Sequence, residues 1–475
     1  MSGVEQLVAR TLGIPESHVT DTLEYQSISE WDSLGHVSLM VAIEKAYGVS
    51  VDDELTLALR TVAAIREFAA GTAPEPITAE QTTAPEPITA AEQTTAIPER
   101  PVVHRGLEGV SFDQTTISHI DGAAGVLEYR GYSIHDLAAH SSFEAVAYLL
   151  VHGELPNTAE LEAFGKELSA ARSLPEPVLE LARSLAHAHP VDALRTCVSA
   201  LAAFEPNGGH GTDETYEQAR TAGITLLARI PMLVAAHHAF RGGREPLIPN
   251  EDVPYAEALL TALLGERPTP MAVRFINKGL IVHADHSANA SAFVARVTTG
   301  CRSGMTASLT AAIAAFGGSV HGGAAERVMS LLDEVGSPER AAAYVAELQS
   351  RGEPVMGFGH RVYRTEDPRV RHLRATVAEL SEERGDTRGL ATLDAVAAAM
   401  APYSRHGVAP NVDLYAGLAY RLLGLPDDLA VPLFVIGRTA GWVAQVLEQQ
   451  SNNVLIRPLL SYVGPHARAY PEGER

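Results

Sequence analysis

A direct repeat in the first quarter of the chain constrains its architecture more than any other feature. Residues 72–82 read TAPEPITAEQT, and residues 83–94 read TAPEPITAAEQT. Pro, Glu, Thr and Ala dominate both copies, and such a composition buries too little apolar surface to offset the entropy of ordering the chain. A solenoid would need at least three repeats with apolar faces. Residues 72–101 are therefore predicted to be a disordered linker.

The linker separates a first part, residues 1–71, from a second part, residues 102–475. In the first part, apolar residues recur at helical spacing in three stretches. These are Val4, Leu7 and Val8, then Val37, Leu39, Val41 and Ile43, then Val62, Ile65 and Phe68. This pattern predicts a small bundle of three or four short helices.

The second part also has the pattern of helices. Ala- and Leu-rich runs with helical spacing cover 157–171, 305–316 and 428–448. Gly and Pro clusters separate such runs near 206–211, 317–323, 352–360 and 407–411. The sequence has neither the alternating strand and helix pattern of βαβ units nor the glycine motif that binds nucleotides. Both parts are therefore predicted to be all-α.

Charge and cysteine content exclude several classes of partner. The chain has 36 basic and 58 acidic residues, a net charge of −22, which argues against nucleic acid or an anionic membrane as a partner. Two distant cysteines, Cys197 and Cys301, cannot form a disulfide framework or a cysteine-based zinc motif. Without a signal peptide or an unbroken run of eighteen apolar residues, the protein is predicted to be soluble and cytoplasmic.

Asp32-Ser33-Leu34 stands between an acidic loop and an apolar helix, and by itself Asp-Ser before a helix is an N-cap signal. The surrounding SEWDSLGHVSLMVAIEKAYGVSV, followed by an acidic stretch, resembles the acyl carrier protein family over residues 4–70. The resemblance implies that Ser33 carries 4′-phosphopantetheine. It also implies a phosphopantetheinyl transferase as a partner, and other biosynthetic enzymes that the acidic helix would attract.

Four segments of the second part place polar side chains beside glycines or helix ends. They are His283-Ala-Asp285-His286 with Asn289-Ala-Ser291, His321-Gly322-Gly323, Gly357-Phe-Gly359-His360-Arg361 continuing to Arg369, and Asn411-Val-Asp413. Each has an alternative interpretation as a helix cap or a solvated basic loop. His283, Asp285 and His286 also have a possible metal-ligand spacing. In the third segment, glycines allow a ligand close to the backbone, and the arginines suit carboxylate or phosphate.

The order of these segments is more informative than any one of them. HADHSANAS, VHGGAAERV, PVMGFGHRVYRTEDPR and NVDLYAG resemble citrate synthase in that order, as do residues 107–138, 189–201 and 437–458. The resemblance covers about 105–465 and implies a mostly helical fold of two subdomains in a homodimer. The large subdomain would comprise about 102–320 and 419–475, and the small subdomain about 321–418.

The resemblance implies a role for each matching residue. Asp413 would remove a proton from the carbon beside the thioester carbonyl, His321 would hydrogen-bond the enol oxygen, and His360 would polarise and protonate the ketone. The carboxylates of the oxo acid would be held by His286, Arg369, Arg438 and Arg457, the last from the partner subunit. Coenzyme A or the pantetheine arm would contact Arg364, Val355, Gly357 and Gly359.

The chemistry of such a condensation requires groups of these kinds. A thioester α-proton is too weakly acidic to remove unless preorganised donors stabilise the enolate oxygen, and a buried carboxylate is a stronger base. A doubly charged oxo acid needs several cations. The second part is therefore predicted to be an acyltransferase. It would condense acetyl or propionyl, on coenzyme A or on the fused carrier, with oxaloacetate or a related 2-oxo acid. No metal or redox cofactor is indicated.

Two departures from the family pattern bear on the thioester. Ala325 stands where many relatives have Asn, and Gly318-Ser319-Val320 lacks the Pro that is common there. Three hypotheses follow: the thioester is carried on the Ser33 arm, or the carrier only recruits enzymes to a coenzyme A-dependent synthase, or the protein is an inactive scaffold. The intact polar set argues against a scaffold, and the retained Asp-Ser-Leu favours the first hypothesis.

Overall fold

The computed structural model describes residues 3–70 except 26, 29, 32, 50 and 52, residues 103–204 except 108, and residues 214–249 and 252–468. The predicted linker at 72–101 and the predicted loop at 206–211 lie outside these residues. The side chains of Ser33 and Ala325 are also outside the described part, although the helices to which they belong are within it.

The first part is an N-terminal bundle of four helices: α1 (Val4–Leu12), α2 (Ser33–Tyr47), α3 (Asp53–Ala58) and α4 (Val62–Ala69). Their apolar faces meet in a separate core that includes Leu39, Ile43 and Ile65 and the fully buried Trp31. The predicted small bundle is thus confirmed. Val37, however, packs against the larger core of the second part.

The second part, hereafter the main body, is mostly helical, as predicted, and helices are present at the predicted runs 157–171, 305–316 and 428–448. Its helices are α5 (Ile134–His140), α6 (Phe143–His152), α7 (Thr158–Ala171), α8 (Glu176–Ser184), α9 (Pro190–Leu201), α10 (Tyr216–Arg241), α11 (Tyr255–Leu264), α12 (Pro270–His283), α13 (Ala290–Gly300), α14 (Met305–Phe316), α15 (Ala324–Val335), α16 (Ala341–Ser350), α17 (Val370–Arg384), α18 (Arg388–Met400), α19 (Asp413–Leu422) and α20 (Ala430–Ser451). The division into two subdomains stays a prediction.

A small antiparallel sheet, which sequence analysis missed, precedes these helices. β1 (Ser118–Asp121) pairs with β2 (Val126–Tyr129), and β2 pairs with β3 (Tyr132–Ser133). The sheet supports two of the polar segments. The Tyr129 hydroxyl donates to the carbonyl of Asp285 at 3.0 Å. Gly122, in the β1–β2 turn, lies so close to Val362 that a Cβ would stand 2.2 Å from its carbonyl oxygen.

Two helices, Tyr216–Arg241 and Asp427–Ser451, are long and apolar enough to cross a membrane by length and composition alone. The apolar windows of these helices are 72% and 100% buried inside the protein. A mostly apolar helix that is surrounded by protein belongs to a core. Helices α10 and α20 therefore form the centre of the main body.

Helix α20 passes close to the corner between α12 and α13 because two glycines face that corner. A Cβ at Gly441 would lie 2.2 Å from the carbonyl oxygen of Ala284, and one at Gly437 would lie 3.0 Å from Cβ of His283. The N–H of Gly441 donates to the same Ala284 carbonyl at 3.0 Å. A larger residue at either position would push the helix away from this corner.

One face of α20 carries four polar or indole groups at spacings of four, three and three residues. Arg438 donates to the carbonyl of His283, Trp442 to Ser291, and Gln445 to Asp285, while Glu448 accepts from Arg296. A single helix thus fixes several separate parts of the corner and of α13.

Candidate active site

The first polar segment forms the α12–α13 corner, and the small sheet supports it. Ser287 has a φ of 48°, a left-handed conformation that a non-glycine residue keeps only when its surroundings hold it there. Its N–H donates to the carboxylate of Asp285 at 2.9 Å and to the hydroxyl of Ser118 in β1 at 3.0 Å. The adjacent His286 is buried, and its Nε2 lies 3.2 Å from the hydroxyl of Tyr363. Burial lowers the pKa of His286 well below its usual value, so the ring is neutral.

His321 lies in the turn after α14, where Ser291 orients its ring. Its Nε2 is 2.9 Å from the Ser291 hydroxyl, which accepts a hydrogen bond from the Trp442 indole at 3.2 Å. The same hydroxyl donates to Oδ1 of Asn289 at 2.7 Å, so that Nε2 of His321 is the donor to Ser291 in this arrangement. Rotation of the hydroxyl would turn its proton to Nε2 instead, and Nδ1 would then carry the ring proton and donate to a ligand oxygen. Burial, followed by the charge of Arg438, lowers the pKa of His321 to about 4.

The backbone fixes the tautomer of His360. Its Nδ1 accepts hydrogen bonds from the N–H groups of Val362 at 2.9 Å and Tyr363 at 3.1 Å. An accepting Nδ1 places the ring proton on Nε2, which is then the donor. The ring centroid of His360 lies 5.0 Å from that of His286. Burial, followed by the charge of Arg369, lowers the pKa of His360 to about 4, so this ring is also neutral at pH 7.

Asp413 is the first residue of α19 and is half-buried. Asn411 ties it to the glycine-rich loop, because its Oδ1 accepts from the N–H of Asp413 at 3.0 Å. The side-chain amide of Asn411 donates to the carbonyl of Gly359 at 3.0 Å, and its N–H donates to that of Gly357 at 2.9 Å. Burial raises the pKa of Asp413 to about 7, although two nearby arginines oppose the shift.

Arg369 belongs to a buried ion pair. Its Nε and Nη2 donate to the two carboxylate oxygens of Asp367 at 2.8 and 2.6 Å. Burial alone would raise the pKa of Asp367, but the guanidinium lowers it below the usual value, so the carboxylate stays ionised. Asp367 takes two of the five N–H groups of Arg369. The binding of an oxo acid by Arg369 stays a prediction.

Arg438 connects these groups electrostatically. It is 2% exposed, and its Nε donates to the carbonyl of His283 at 2.6 Å. Its positive charge contributes to the lowered pKa values of His286 and His321 and acts on Asp413 as well. Burial lowers the pKa of Arg438 itself to about 10. A buried guanidinium beside neutral imidazoles favours an anionic ligand.

The structure therefore brings six of the predicted site residues into one region, namely His286, His321, His360, Arg369, Asp413 and Arg438. Arg457 is exposed in the segment after α20. Arg364 is exposed as well, and its N–H donates to the carbonyl of Gly122 at 2.9 Å. Its charge nevertheless contributes to the lowered pKa of His360.

The predicted thioester loop lies against the start of α19. Val355 is buried, and Gly357 and Gly359 have φ values of 85° and 82°, which glycine adopts without strain. A Cβ at Gly357 would lie 2.8 Å from the Leu414 side chain. Phe358 also forms an isolated antiparallel bridge with Pro410. The predicted loops at 352–360 and 407–411 thus pair with each other.

The alternative of a metal site at His283, Asp285 and His286 has no geometric support. The ring of His283 lies on Phe434 with centroids 3.8 Å apart, whereas Asp285 binds Ser118 and Ser287. Within the described ranges, no three His, Cys, Asp or Glu side chains are grouped to hold a metal ion.

Five residues that contact the predicted set were given no role by sequence analysis: Ser291, Tyr363, Asp367, Asn411 and Trp442. Four of them lie inside the polar segments described above, so their place in those segments could have identified them as candidate site residues. Trp442 lies in a distant helix, and only its place in GRTAGWVAQVLEQ could have drawn attention to it.

This arrangement can deprotonate a carbon beside a carbonyl group. A carboxyl group with a pKa near 7 is a matched base at neutral pH. Neutral imidazoles can donate to oxygens on which negative charge develops, and buried guanidinium groups can hold carboxylates. The site therefore suits the joining of an enolate to an anionic carbonyl compound.

Two family models match the chain. The one described as "Citrate synthase, C-terminal domain" matches residues 106–459. The other, described as "Phosphopantetheine attachment site", matches residues 2–69.

Curated relatives match over nearly their whole length. A citrate synthase of Synechocystis sp. is 39% identical over 380 residues, which cover 79% of this chain and 95% of the relative. A 2-methylcitrate synthase of Mycobacterium tuberculosis is 38% identical over 376 residues, covering 79% of this chain and 94% of the relative.

Solved structures match with similar coverage. Citrate synthase from Pyrobaculum aerophilum superimposes with a TM-score of 0.74 at 36% identity, covering 81% of this chain and 98% of that one. The Thermoplasma acidophilum enzyme, in complex with carboxymethyl coenzyme A and oxaloacetate, gives 0.74 at 29% identity, covering 78% and 98%.

Proposed function

Because the chain belongs to the citrate synthase family, with a phosphopantetheine attachment domain before it, we propose that it condenses an acyl thioester on its own Ser33 arm with oxaloacetate. It is an acyltransferase of the citrate synthase or 2-methylcitrate synthase type, which converts the acyl group into an alkyl group on transfer. The observation that carries the proposal is the grouping of Asp413, His321 and His360 around buried arginines.

In the proposed reaction, ionised Asp413 takes a proton from the carbon beside the thioester carbonyl. The electron pair of that C–H bond moves onto the carbonyl oxygen, which receives a hydrogen bond from neutral His321. The enol carbon then attacks the ketone carbon of oxaloacetate, forming the new C–C bond. The ketone oxygen takes the Nε2 proton of His360 and becomes a hydroxyl group. The proton held by Asp413 then restores that of His360 by way of water, so that no proton is gained or lost overall.

The carboxylates of oxaloacetate would be held by side chains that are cationic or donate hydrogen bonds, namely His286, Arg369, Arg438 and Arg457 of the partner subunit. The condensed product keeps its thioester bond until water attacks the carbonyl and releases the thiol. The pantetheine arm, or coenzyme A in the second hypothesis, would contact Arg364, Val355, Gly357 and Gly359.

Intact-protein mass spectrometry tests whether the arm carries the thioester. The chain is converted with a phosphopantetheinyl transferase, its arm is loaded with acetyl or propionyl, and oxaloacetate is added. We expect a further mass gain equal to one oxaloacetate while the condensed acyl group stays on sulfur, followed by return to the mass of the unloaded arm once water has released the product. Ser33→Ala prevents loading, and Asp413→Asn permits loading without the second gain.

Other outcomes separate the remaining hypotheses. A loaded arm that does not react, with normal turnover of free acyl-coenzyme A, would make the carrier a recruitment domain for other biosynthetic enzymes. Absence of turnover with either thioester would make the protein a scaffold. The rates with an acetyl-loaded and a propionyl-loaded arm identify the preferred acyl group. The relatives do not decide between them, since they include both a citrate synthase and a 2-methylcitrate synthase.

The raised pKa of Asp413 predicts the pH dependence of the reaction. A base works only when ionised, so kcat/KM should fall about tenfold per pH unit below the pKa and level off above it. The inflection is expected near pH 7. His321 and His360, with pKa values of about 4, stay neutral across this range and add no inflection. A profile of kcat/KM that is flat from about pH 5 to about pH 9 would contradict Asp413 as the base.

We also propose that the enzyme is a homodimer. The segment after α20 exposes several large apolar side chains, which suit burial against a second copy. They include Val454, Leu459, Leu460, Tyr462 and Val463. Arg457, which is proposed to act in the site of the other subunit, lies exposed in the same segment. Sedimentation of the full chain as a monomer would contradict this proposal.

A cytoplasmic location is proposed as well, because the sequence has only two cysteines and both are unpaired, with Cys301 exposed. Fractionation of cells that contain the protein measures this directly, and recovery outside the cytoplasm would contradict it.

A further inference from the structure

Helix α2 of the carrier domain has two different faces. Leu39, Met40 and Ile43 are fully buried in the core of the carrier itself. Val37 is half-buried and packs instead against the large core of the catalytic main body. The carrier helix therefore uses one face to fold its own domain and another to contact the enzyme.

Two further contacts locate the carrier on the main body. Nη1 of Arg105 donates to the carbonyl of Ser27 at 3.2 Å, joining the start of the main body to the loop before α2. A Cβ at Gly352 would lie 4.0 Å from the carbonyl oxygen of Thr11, near the end of α1. Gly352 begins the loop that continues to Gly359, where the thioester is proposed to bind. The carrier thus lies beside the thioester loop.

The position of the arm follows from the helix geometry. Ser33 is the first residue of α2, and Val37 follows four residues later. Four residues of an α-helix span about 6 Å along its axis. The backbone position from which the arm starts is therefore about one helical turn from the contact of Val37 with the main body.

Charge supports the same docking. The carrier domain, residues 1–71, contains four basic and eleven acidic residues, a net charge of −7. The thioester loop continues into Arg361 and Arg364, both exposed. Opposite charges on two surfaces favour one orientation of approach. Because the two domains are covalently joined, their effective concentration is on the order of millimolar, and a small interface suffices.

We propose that the carrier domain docks on its own catalytic domain through the Val37 face of α2, beside residues 352–359, and delivers the Ser33 arm to the candidate active site from there. The catalytic consequence rests on the proposed arm-borne reaction, whereas the docking itself rests on the contacts of Val37, Arg105 and Thr11.

The variant Val37→Glu tests the docking because it places a charge in the apolar contact. In the full chain, we expect condensation of arm-borne acetyl with oxaloacetate to slow about tenfold or more per loaded molecule. Turnover of free acetyl-coenzyme A should be unchanged. Val49→Glu is the matched control, since Val49 is an exposed valine of the same domain, and it should change neither rate.

Hydrogen–deuterium exchange separates failure of the docking from failure of the proposed reaction. Val37→Glu should increase exchange in residues 352–359 and around Val37 itself, while Val49→Glu should not. If wild-type arm-borne acetyl does not react but this difference in exchange persists, the proposed function fails and the docking stands. Equal exchange in wild type and Val37→Glu overturns the docking. So does an equal loss of arm-borne and free-substrate turnover, since a docking defect spares substrate that diffuses in.

Discussion

Asp413→Asn should lower kcat by about 10²- to 10⁴-fold, with both arm-borne and free thioesters, because it removes the only proposed acceptor for the α-proton. The amide is nearly isosteric with the carboxyl group, and the backbone hydrogen bond from residue 413 to Asn411 does not depend on the side chain. The fold and the binding of oxaloacetate should therefore persist. Release of the coenzyme A thiol in the presence of oxaloacetate measures the rate with the free thioester, and the mass of the loaded arm measures it with the arm-borne one.

The matched control is Asp427→Asn, which removes a partly exposed partner of Arg421 beyond the other end of α19. Its rate should stay within about twofold of wild type, since exposed ion pairs contribute little. His321→Ala should resemble Asp413→Asn, with a loss of about 10²- to 10³-fold, because it removes the donor to the enol oxygen. Full-rate turnover by either Asp413→Asn or His321→Ala would refute the proposed proton transfer.

Asp367→Ala should destabilise the main body by about 3–5 kcal/mol, because it leaves the guanidinium of Arg369 buried without its carboxylate. Both side chains are at most 3% exposed, and the pair has two short hydrogen bonds. The free energy of unfolding in urea, measured for the full chain, tests this value. Glu245→Ala breaks the exposed pair with Arg183 and should have little effect.

A double variant isolates the cause of the destabilisation. Asp367→Ala combined with Arg369→Met removes both charges, and replacement of a buried pair by apolar groups is often close to neutral. The double variant should thus regain much of the stability that the single variant loses. It should not regain turnover, since Arg369 is proposed to bind a carboxylate of oxaloacetate. A double variant as unstable as Asp367→Ala would show that cavity formation, not the unpaired charge, causes the loss.

Helix positions could be predicted from sequence because apolar periodicity is a local property. The runs at 157–171 and 305–316 became Thr158–Ala171 and Met305–Phe316. The sheet escaped this approach, since its strands are four, four and two residues long, too short for a clear alternation. Its importance lies in contacts such as that of Tyr129 with Asp285, between residues 156 positions apart.

The order of the motifs was enough to name the candidate site residues, but it could not give their protonation states. Periodicity and spacing give no information on burial, which sets the pKa values of Asp413, His321 and His360. The ion pair of Arg369 with Asp367 was missed because adjacent charges in a sequence can equally well face solvent. Val37 was assigned to the apolar face of its helix, and the pattern could not tell which core that face meets.

The geometry of the site depends on the rotational position of the residues of helix α20. Four side chains of this one helix each form a hydrogen bond with a different partner: Arg438, Trp442, Gln445 and Glu448. Inserting or deleting one residue before them would rotate the whole set by about 100°. The buried cation, the support of His321 and the corner at Asp285 would then be lost together. Length changes in this lineage should therefore accumulate outside α20.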